Sequence, residues 1–229
     1  MYKRISILIP AYNEEKTILE ILRLVAAADT NVLEKEIIVI DNNSTDATAS
    51  LARSVQGVRV FSEMTPGKGA ALKCGIREAT GDIVIFQDAD LEYDPGDYAR
   101  VIAPLLEGKT EAVLGVRQSP RHRNWYIRYF GLIGNNAITV LTNWLYGNNA
   151  GEYEGCYKAF SKRLIDTVEV KTNNFDFDNE LVCKLLKRGV RTTDVPIHYY
   201  PRDYNEGKKI TWKQGFLILW TICKYRFVD

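Results

Sequence analysis

The chain has little that points to secretion, a metal cluster or a membrane span. Its four cysteines, Cys74, Cys156, Cys183 and Cys223, stand far apart with no Cys-x-x-Cys pair. That excludes a zinc ligand set and a small disulfide scaffold, and it fits a reducing compartment. No apolar run approaches the ~20 residues of a spanning helix; the longest, Phe216 to Cys223, is too short. The N-terminus enters a strand pattern without a charged segment, an apolar core and a cleavage site, so no secretory leader is expected. Thirty Lys and Arg offset 29 Asp and Glu to a net charge of +1, which gives no overall field for nucleic acid. Internal repeats and low-complexity tracts are absent too. A cytoplasmic chain, soluble or resting on the inner face of the cell membrane, is expected.

What remains is an ordinary globular balance over 229 residues, 46% hydrophobic and 26% charged, enough for one large α/β domain. The first half alternates apolar β-type runs with helical patterns, the signature of a mainly parallel sheet covered by helices. Ile5 to Ile9, Ile37 to Ile40, Val58 to Phe61, Ile83 to Phe86 and Ala112 to Val116 read as strands. Glu14 to Ala28 reads as a helix with Ile18, Ile21, Leu22 and Val25 on one face. Ser44 or Thr45 can cap a helix through about Val55, and Gly67-Lys68-Gly69 opens another through Ala79. A further helix is expected near Asp97 to Leu106. After Arg117 the character changes. Trp125 to Tyr146 is a long helical stretch with Ile127, Phe130, Ile133, Ala137, Leu141 and Trp144 at helical spacing. Phe175 to Lys187 reads as a helix, Thr192 to Tyr199 as a strand, and Trp212 to Arg226 as an apolar helix. This divides the domain into residues 1–117, expected to bind a nucleotide, and 118–229, expected to receive an acceptor.

In such sheets ligands collect at the carboxyl ends of the strands. Polar clusters follow three strands there: Pro10-Ala11-Tyr12-Asn13-Glu14, Asp41-Asn42-Asn43 and Asp88-Ala89-Asp90. One polar strand end is routine turn chemistry; three on one edge indicate a site. In extended backbone, residues two apart point the same way, so Asp88 and Asp90 are expected to share one hard cation, Mg²⁺ or Mn²⁺. Such an ion neutralises a leaving diphosphate. Gly67-Lys68-Gly69 imitates the start of a dinucleotide fingerprint, but Leu72 stands where the third glycine belongs and no Ser or Thr follows Lys68. These glycines are expected to shape a turn and let a helix start pack closely. A glycosidase is disfavoured as well, because its two carboxyls need about 5 Å or more of separation across a sugar.

Taken in order, Pro10 to Glu14, Asp41 to Asp46, Gly67 to Gly69, Gly81-Asp82 and Gln87 to Asp94 resemble family 2 glycosyltransferases of the GT-A fold. Leu114 to Arg117, Gly155 to Lys158, Asp194 to Ile197 and Tyr200 to Ile210 extend the resemblance to the polyprenyl-phosphate branch, the relatives of dolichyl-phosphate mannose synthase. The turn Asp41-Asn42-Asn43 departs from the pattern, which commonly has a second Asp. The resemblance implies a Rossmann-like, mostly parallel sheet flanked by helices, with C-terminal amphipathic interface helices. It implies a nucleoside pocket at Pro10, Tyr12, Glu14 and Asp41, with Lys68, Ala89 and Lys208 in the donor site. Asp88 and Asp90 would engage metal and diphosphate, and Glu92 would add an oxygen ligand. Arg117 and the basic loop at Arg202, Lys208 and Lys209 would meet phosphate oxygens, and Asp178 and Glu180 would lie near the acceptor.

The activity expected is inverting transfer of a hexose from a UDP or GDP donor to a polyprenyl phosphate. A lipid phosphate needs no strong general base, since its second pKa is about 6. A sugar hydroxyl would need one, and Asp178 or Glu180 are the candidates. Extension of a surface polysaccharide and a catalytically silent nucleotide-sugar-binding module are the alternatives. The aromatic helices, with Arg121, Arg123 and Arg128 nearby, suit a bilayer surface; the plainer reading is that they pack on the sheet or against a second copy.

Overall fold

Parallel pairing buries the apolar runs of the first half from both sides. In a computed structural model, β1 (Arg4–Ala11) pairs in parallel with β2 (Glu34–Asp41) and with β4 (Ile83–Phe86), and β2 pairs with β3 (Val58–Ser62). The structure describes residues 2–31, 33–118, 125–201 and 212–228, and only the backbone of 125–133 and 212–214. β5 (Ala112–Arg117) pairs in parallel with β7 (Thr193–Ile197). Between β4 and β5 lies β6 (Lys158–Ser161), antiparallel to both, so the seven-stranded order is β3-β2-β1-β4-β6-β5-β7. The second part of the chain therefore completes the sheet begun by the first.

Alternation along the strands assigns the two faces. Ile5, Ile7 and Ile9 of β1 join α1 (Ile18–Ala27), where Ile18, Ile21, Leu22 and Val25 are all fully buried as their spacing requires. That layer also holds α4 (Tyr98–Leu106), while α2 (Thr48–Ser54) contributes Ala52. Leu8, Ile38 and Ile40 face α3 (Lys68–Glu78) and α7 (Phe177–Lys187) on the other side. A short α6 (Lys162–Ile165) follows β6, capped by the Ser161 hydroxyl accepting from the Leu164 amide.

Two departures from the sequence reading matter for function. Lys158-Ala159-Phe160-Ser161 forms a central strand although its lysine argues against one; Lys158 is 1% exposed and answers its charge at the strand end. The second concerns α5 (Trp125–Tyr146) and α8 (Trp212–Phe227), which pack on each other and on α7 through Ile138, Cys183, Ile218, Ile222 and Tyr225. Ala137 and Trp144, expected on the packed stripe, are exposed instead, with Ile138 and Thr142 turned inward. Val140, Trp144 (77% exposed), Phe216 (67%) and Trp220 (66%) leave apolar surface on this helix pair uncovered. The side chains of Ile127, Phe130 and Ile133 lie outside the described residues. No helix among the described residues is long and apolar enough to cross a membrane.

The Gly-Lys-Gly turn does what its composition suggests. Gly67 has φ +120°, and a Cβ there would meet the Asn173 carbonyl oxygen at 2.0 Å. Gly57 also has positive φ, but its Cβ would meet nothing within 4 Å. Gly67→Ala is thus expected to cost clearly more than Gly57→Ala, about 3 against about 1 kcal/mol. Urea denaturation of the two variants checks this, and equal losses would remove the close contact as the reason for the glycine.

Candidate functional site

β1, β2 and β4 end side by side, and their loops are tied together before any ligand arrives. The Asn13 amide donates to Ser44 Oγ (3.0 Å), the Thr45 amide donates to Asn13 Oδ1 (2.8 Å), and the Glu14 amide donates to Thr48 Oγ1 (2.8 Å). Pro10 is the next-to-last residue of β1, paired with Ile40, so the strand continues past the proline. Tyr12 projects with about half its surface exposed, and Glu14 is half-buried with the Thr17 hydroxyl on its Oε2 (3.1 Å). Asp41 is buried at the end of β2, and its Oδ1 has no hydrogen-bond partner. Next to it Asn42 spends its amide on the facing loop. Nδ2 donates to the Glu63 and Thr65 carbonyls (2.9 and 2.7 Å), and Oδ1 accepts from the Gly67 amide (2.8 Å). Asn42 therefore holds the loop that delivers Lys68.

At the end of β4, Gln87 is fully buried and gathers two tyrosines. Tyr98 and Tyr157 both donate to its Oε1 (2.6 and 2.8 Å), while its Nε2 donates to the Asp88 carbonyl (2.9 Å). This clamp fixes the peptide that carries Asp88. The Asp88 carboxylate then meets Lys68 Nζ at 2.7 Å, both side chains being largely buried, and the Cys156 thiol lies beside it while donating to the Phe86 carbonyl (3.8 Å). Burial works to raise the Asp88 carboxyl, but the Lys68 ammonium outweighs it and holds the group below the usual aspartate range. For Lys68 burial opposes the charge, and Asp88 with Asp178 overcomes that, so the ammonium is held well above its ordinary value.

The chain does not stay extended after Asp88. Ala89 and Asp90 turn, Asp90 Oδ1 accepts from the Glu92 amide (3.1 Å), and Leu91 has φ 62°. The argument that two residues apart must face one way in a strand does not apply across a turn. Asp88 and Asp90 meet different protein partners here. Glu92 Oε2 accepts from the Tyr199 hydroxyl (3.2 Å). Among the described residues no three His, Cys, Asp or Glu side chains converge as a ready-made metal cage.

The far wall comes from the loop before β6 and the start of α7. Asp178 Oδ2 lies 4.0 Å from Lys68 Nζ and Oδ1 3.7 Å from Lys158 Nζ, which also donates to the Gly155 carbonyl (2.6 Å). Asp178 thus joins the Asp88 group. Glu180 does not. Two residues along a helix is a rotation of about 200°, and Glu180 faces away, fully buried. It accepts from the Lys171 and Thr172 amides (2.8 and 2.9 Å) and pairs with Lys184 (2.7 Å). Sequence reasoning gave no role to Lys158, Cys156 or Glu154. The signal for Lys158 was a charge opening the short run Lys158-Ala159-Phe160-Ser161.

Arg117 ends β5 as expected, but its guanidinium is engaged by protein. Nε donates to Glu152 Oε1 (2.7 Å), Nη2 reaches the same oxygen, and the backbone amide donates to Oε2 (3.0 Å). It also stacks over the Tyr199 ring at 4.8 Å. Arg202, Lys208 and Lys209 lie outside the described residues.

The family model Glycosyl transferase family 2 matches residues 6–168, which covers every strand end of this site. The chain belongs to glycosyl transferase family 2. Solved structures agree on the fold. Glucosyl-3-phosphoglycerate synthase from Mycobacterium tuberculosis in complex with uridine diphosphate superposes with a TM-score of 0.78 at 22% identity, covering 99% of this chain and 81% of that one. The same enzyme with Mn²⁺, uridine diphosphate and glucosyl-3-phosphoglycerate gives 0.77 at 23% identity, with the same coverage. At such identity the likeness speaks for the fold, and the GT-A architecture is thereby shown; the family makes this chain a glycosyltransferase.

In this glycosyltransferase the Lys68–Asp88 pair is an element of stability as well as of the site. Lys68→Met leaves a buried carboxylate without its ammonium and is expected to cost about 3 kcal/mol at pH 7. Adding Asp88→Asn should return most of that loss. Because folding strengthens the acidity of Asp88, the pair stabilises above about pH 4 and its contribution fades as pH falls further. Urea denaturation of the single and double variants at pH 7 and pH 3.5 measures this. A double variant no more stable than Lys68→Met at pH 7 would contradict it.

Proposed function

We propose that the chain transfers a hexose from a UDP- or GDP-linked donor, with inversion and with Mg²⁺ or Mn²⁺, to a polyprenyl phosphate at the cytoplasmic face of the membrane. The observation that carries the donor half is the buried Lys68–Asp88 pair beside Asp178, at the carboxyl edge of a family 2 sheet. Asp41, with a buried oxygen lacking a donor, suits a nucleoside that presents N–H or O–H groups, between Pro10, Tyr12 and Glu14. Residues 1–117 would then hold the donor and 118–229 receive the acceptor.

The residues offered to a metal are Asp88, Asp90 and Glu92, all hard oxygen donors, which suits Mg²⁺ or Mn²⁺. Mg²⁺ usually takes only one or two protein carboxylates and fills its shell with water and phosphate, so a site without a three-ligand cage fits it. When bound, such an ion supplies positive charge for the departing diphosphate. Lys68 adds a fixed ammonium at the same edge, and Arg117, Arg202 and Lys208 are further candidates to meet phosphate oxygens. The structural neighbours described with Mn²⁺ or Mg²⁺ and uridine diphosphate support this choice of donor and ion.

The acceptor half rests on the uncovered Val140, Trp144, Phe216 and Trp220 of α5 and α8, with Lys224 and Arg226 in the last turn of α8. Aromatic and basic residues on one helix pair suit a headgroup boundary. A phosphate acceptor arrives ionised and attacks the anomeric carbon opposite the leaving diphosphate, with no base required. A hydroxyl acceptor would need one, and Asp178 is better situated for it than the fully engaged Glu180. A second reading, a soluble phosphorylated acceptor, is favoured by the neighbours named for phosphoglycerate.

Labelled UDP-glucose or GDP-mannose with Mn²⁺ decides among these, offered in parallel to vesicles containing polyprenyl phosphate and to 3-phosphoglycerate. Label passing into organic solvent is expected, reduced at least 100-fold by Asp90→Asn. Label passing only to phosphoglycerate would replace the lipid acceptor, and full turnover by Asp90→Asn would overturn the metal role.

A further inference from the structure

Among the described residues, three buried side-chain oxygen or nitrogen atoms lack a hydrogen-bond partner: Asp41 Oδ1, Glu154 Oε1 and Asp178 Oδ1. All three are carboxylate oxygens, and all three belong to residues at the carboxyl edge of the sheet. An acceptor left unsatisfied in a folded interior is costly and rare, and each case calls for a reason. Asp41 has one in the nucleoside pocket. Glu154 and Asp178 stand on the opposite wall.

The register locates Glu154. β6 runs antiparallel to β4, with Ala159 opposite Ile85. Going backwards from Ala159 along the chain therefore follows β4 forwards, so Cys156 comes to the end of β4, its thiol on the Phe86 carbonyl and beside Asp88. Glu154 lies two residues further back in the same loop. Its neighbours are the charged Lys158, Asp178 and Arg117, with Asn179 nearby. Lys158 Nζ is already taken by the Gly155 carbonyl and Asp178, and Arg117 by Glu152.

The chemistry of what completes this wall follows from the groups present. Both carboxyl groups keep an oxygen without a donor, and a fully ionised phosphate has no hydrogen to give them. A hexose presents several hydroxyls, each able to donate. Resting on the donor reading given above, we propose that Glu154 binds a hydroxyl of the transferred hexose, with Asp178 beside it, and so sets which sugar is accepted.

Calorimetric titration of wild type and Glu154→Gln separates this inference from the reading beneath it. The probes are UDP, GDP, UDP-glucose and GDP-mannose, each with Mn²⁺. The quantity read is the ratio of affinities for the nucleotide sugar and for its bare nucleotide. Glu154→Gln is expected to leave the bare nucleotide within about twofold and to lower that ratio by about 10-fold or more, as loss of a hydrogen bond to a charged group implies. Nucleotide sugars lacking one hydroxyl should lower the wild-type ratio similarly at one position and leave the variant's ratio unchanged there. A ratio equal in both proteins would overturn the role of Glu154 while sparing the donor site. Failure of every nucleotide to bind would overturn the donor reading and this inference with it.

Discussion

A lysine at the first turn of one helix and an aspartate at the end of one strand hold the two sides of this cleft together. Lys68 is delivered by a glycine turn pressed against the Asn173 backbone, and Asp88 by a peptide clamped through Gln87. Neither charge would be stable alone in a largely buried setting. Paired at 2.7 Å they are, and the pair sets a fixed distance between α3 and the edge of β4. Asp178 extends the arrangement to α7, since it approaches both Lys68 and Lys158. The result is an edge of alternating charge, preorganised by protein groups before substrate binds, which is the condition for electrostatic catalysis.

The sheet order explains why residues from distant parts of the sequence meet there. Inserting antiparallel β6 between β4 and β5 brings the loop of residues 152–157 back over the end of β4. Glu152 then captures Arg117, Cys156 touches Asp88, and Tyr157 reaches Gln87. One short strand thus connects the half proposed to hold the donor with the half proposed to receive the acceptor. The exposed aromatics of α5 and α8 belong to the helix pair that packs on α7 through Ile138, Cys183 and Ile222.

Much of this architecture was legible in the residues. The runs at Ile5, Ile37 and Ile83 could be little else than buried parallel strands, and the spacing of Ile18, Ile21, Leu22 and Val25 marked the buried face of α1. The bounds of α5 were also readable, Trp125 to Tyr146. Its inward face was not: Ile138 and Thr142 are buried, where Ala137 and Trp144 were expected. β6 escaped notice because four residues including a lysine carry no period. Pairing Asp88 with Asp90 rested on an extended backbone, and a turn at Ala89 removed that premise. Asp178 and Glu180 looked equivalent in composition, yet helical geometry sends them to opposite sides. Arg202 and Lys208 were named from their chemistry and lie outside the described residues.

The most direct measurement is a crystal structure with a nucleoside diphosphate sugar and Mn²⁺. The account predicts the diphosphate and the ion at the Asp88–Asp90 edge, Lys68 still within hydrogen-bond reach of Asp88, and the nucleoside against Asp41. An ion bound elsewhere, or a diphosphate remote from Lys68 and Asp88, would contradict it.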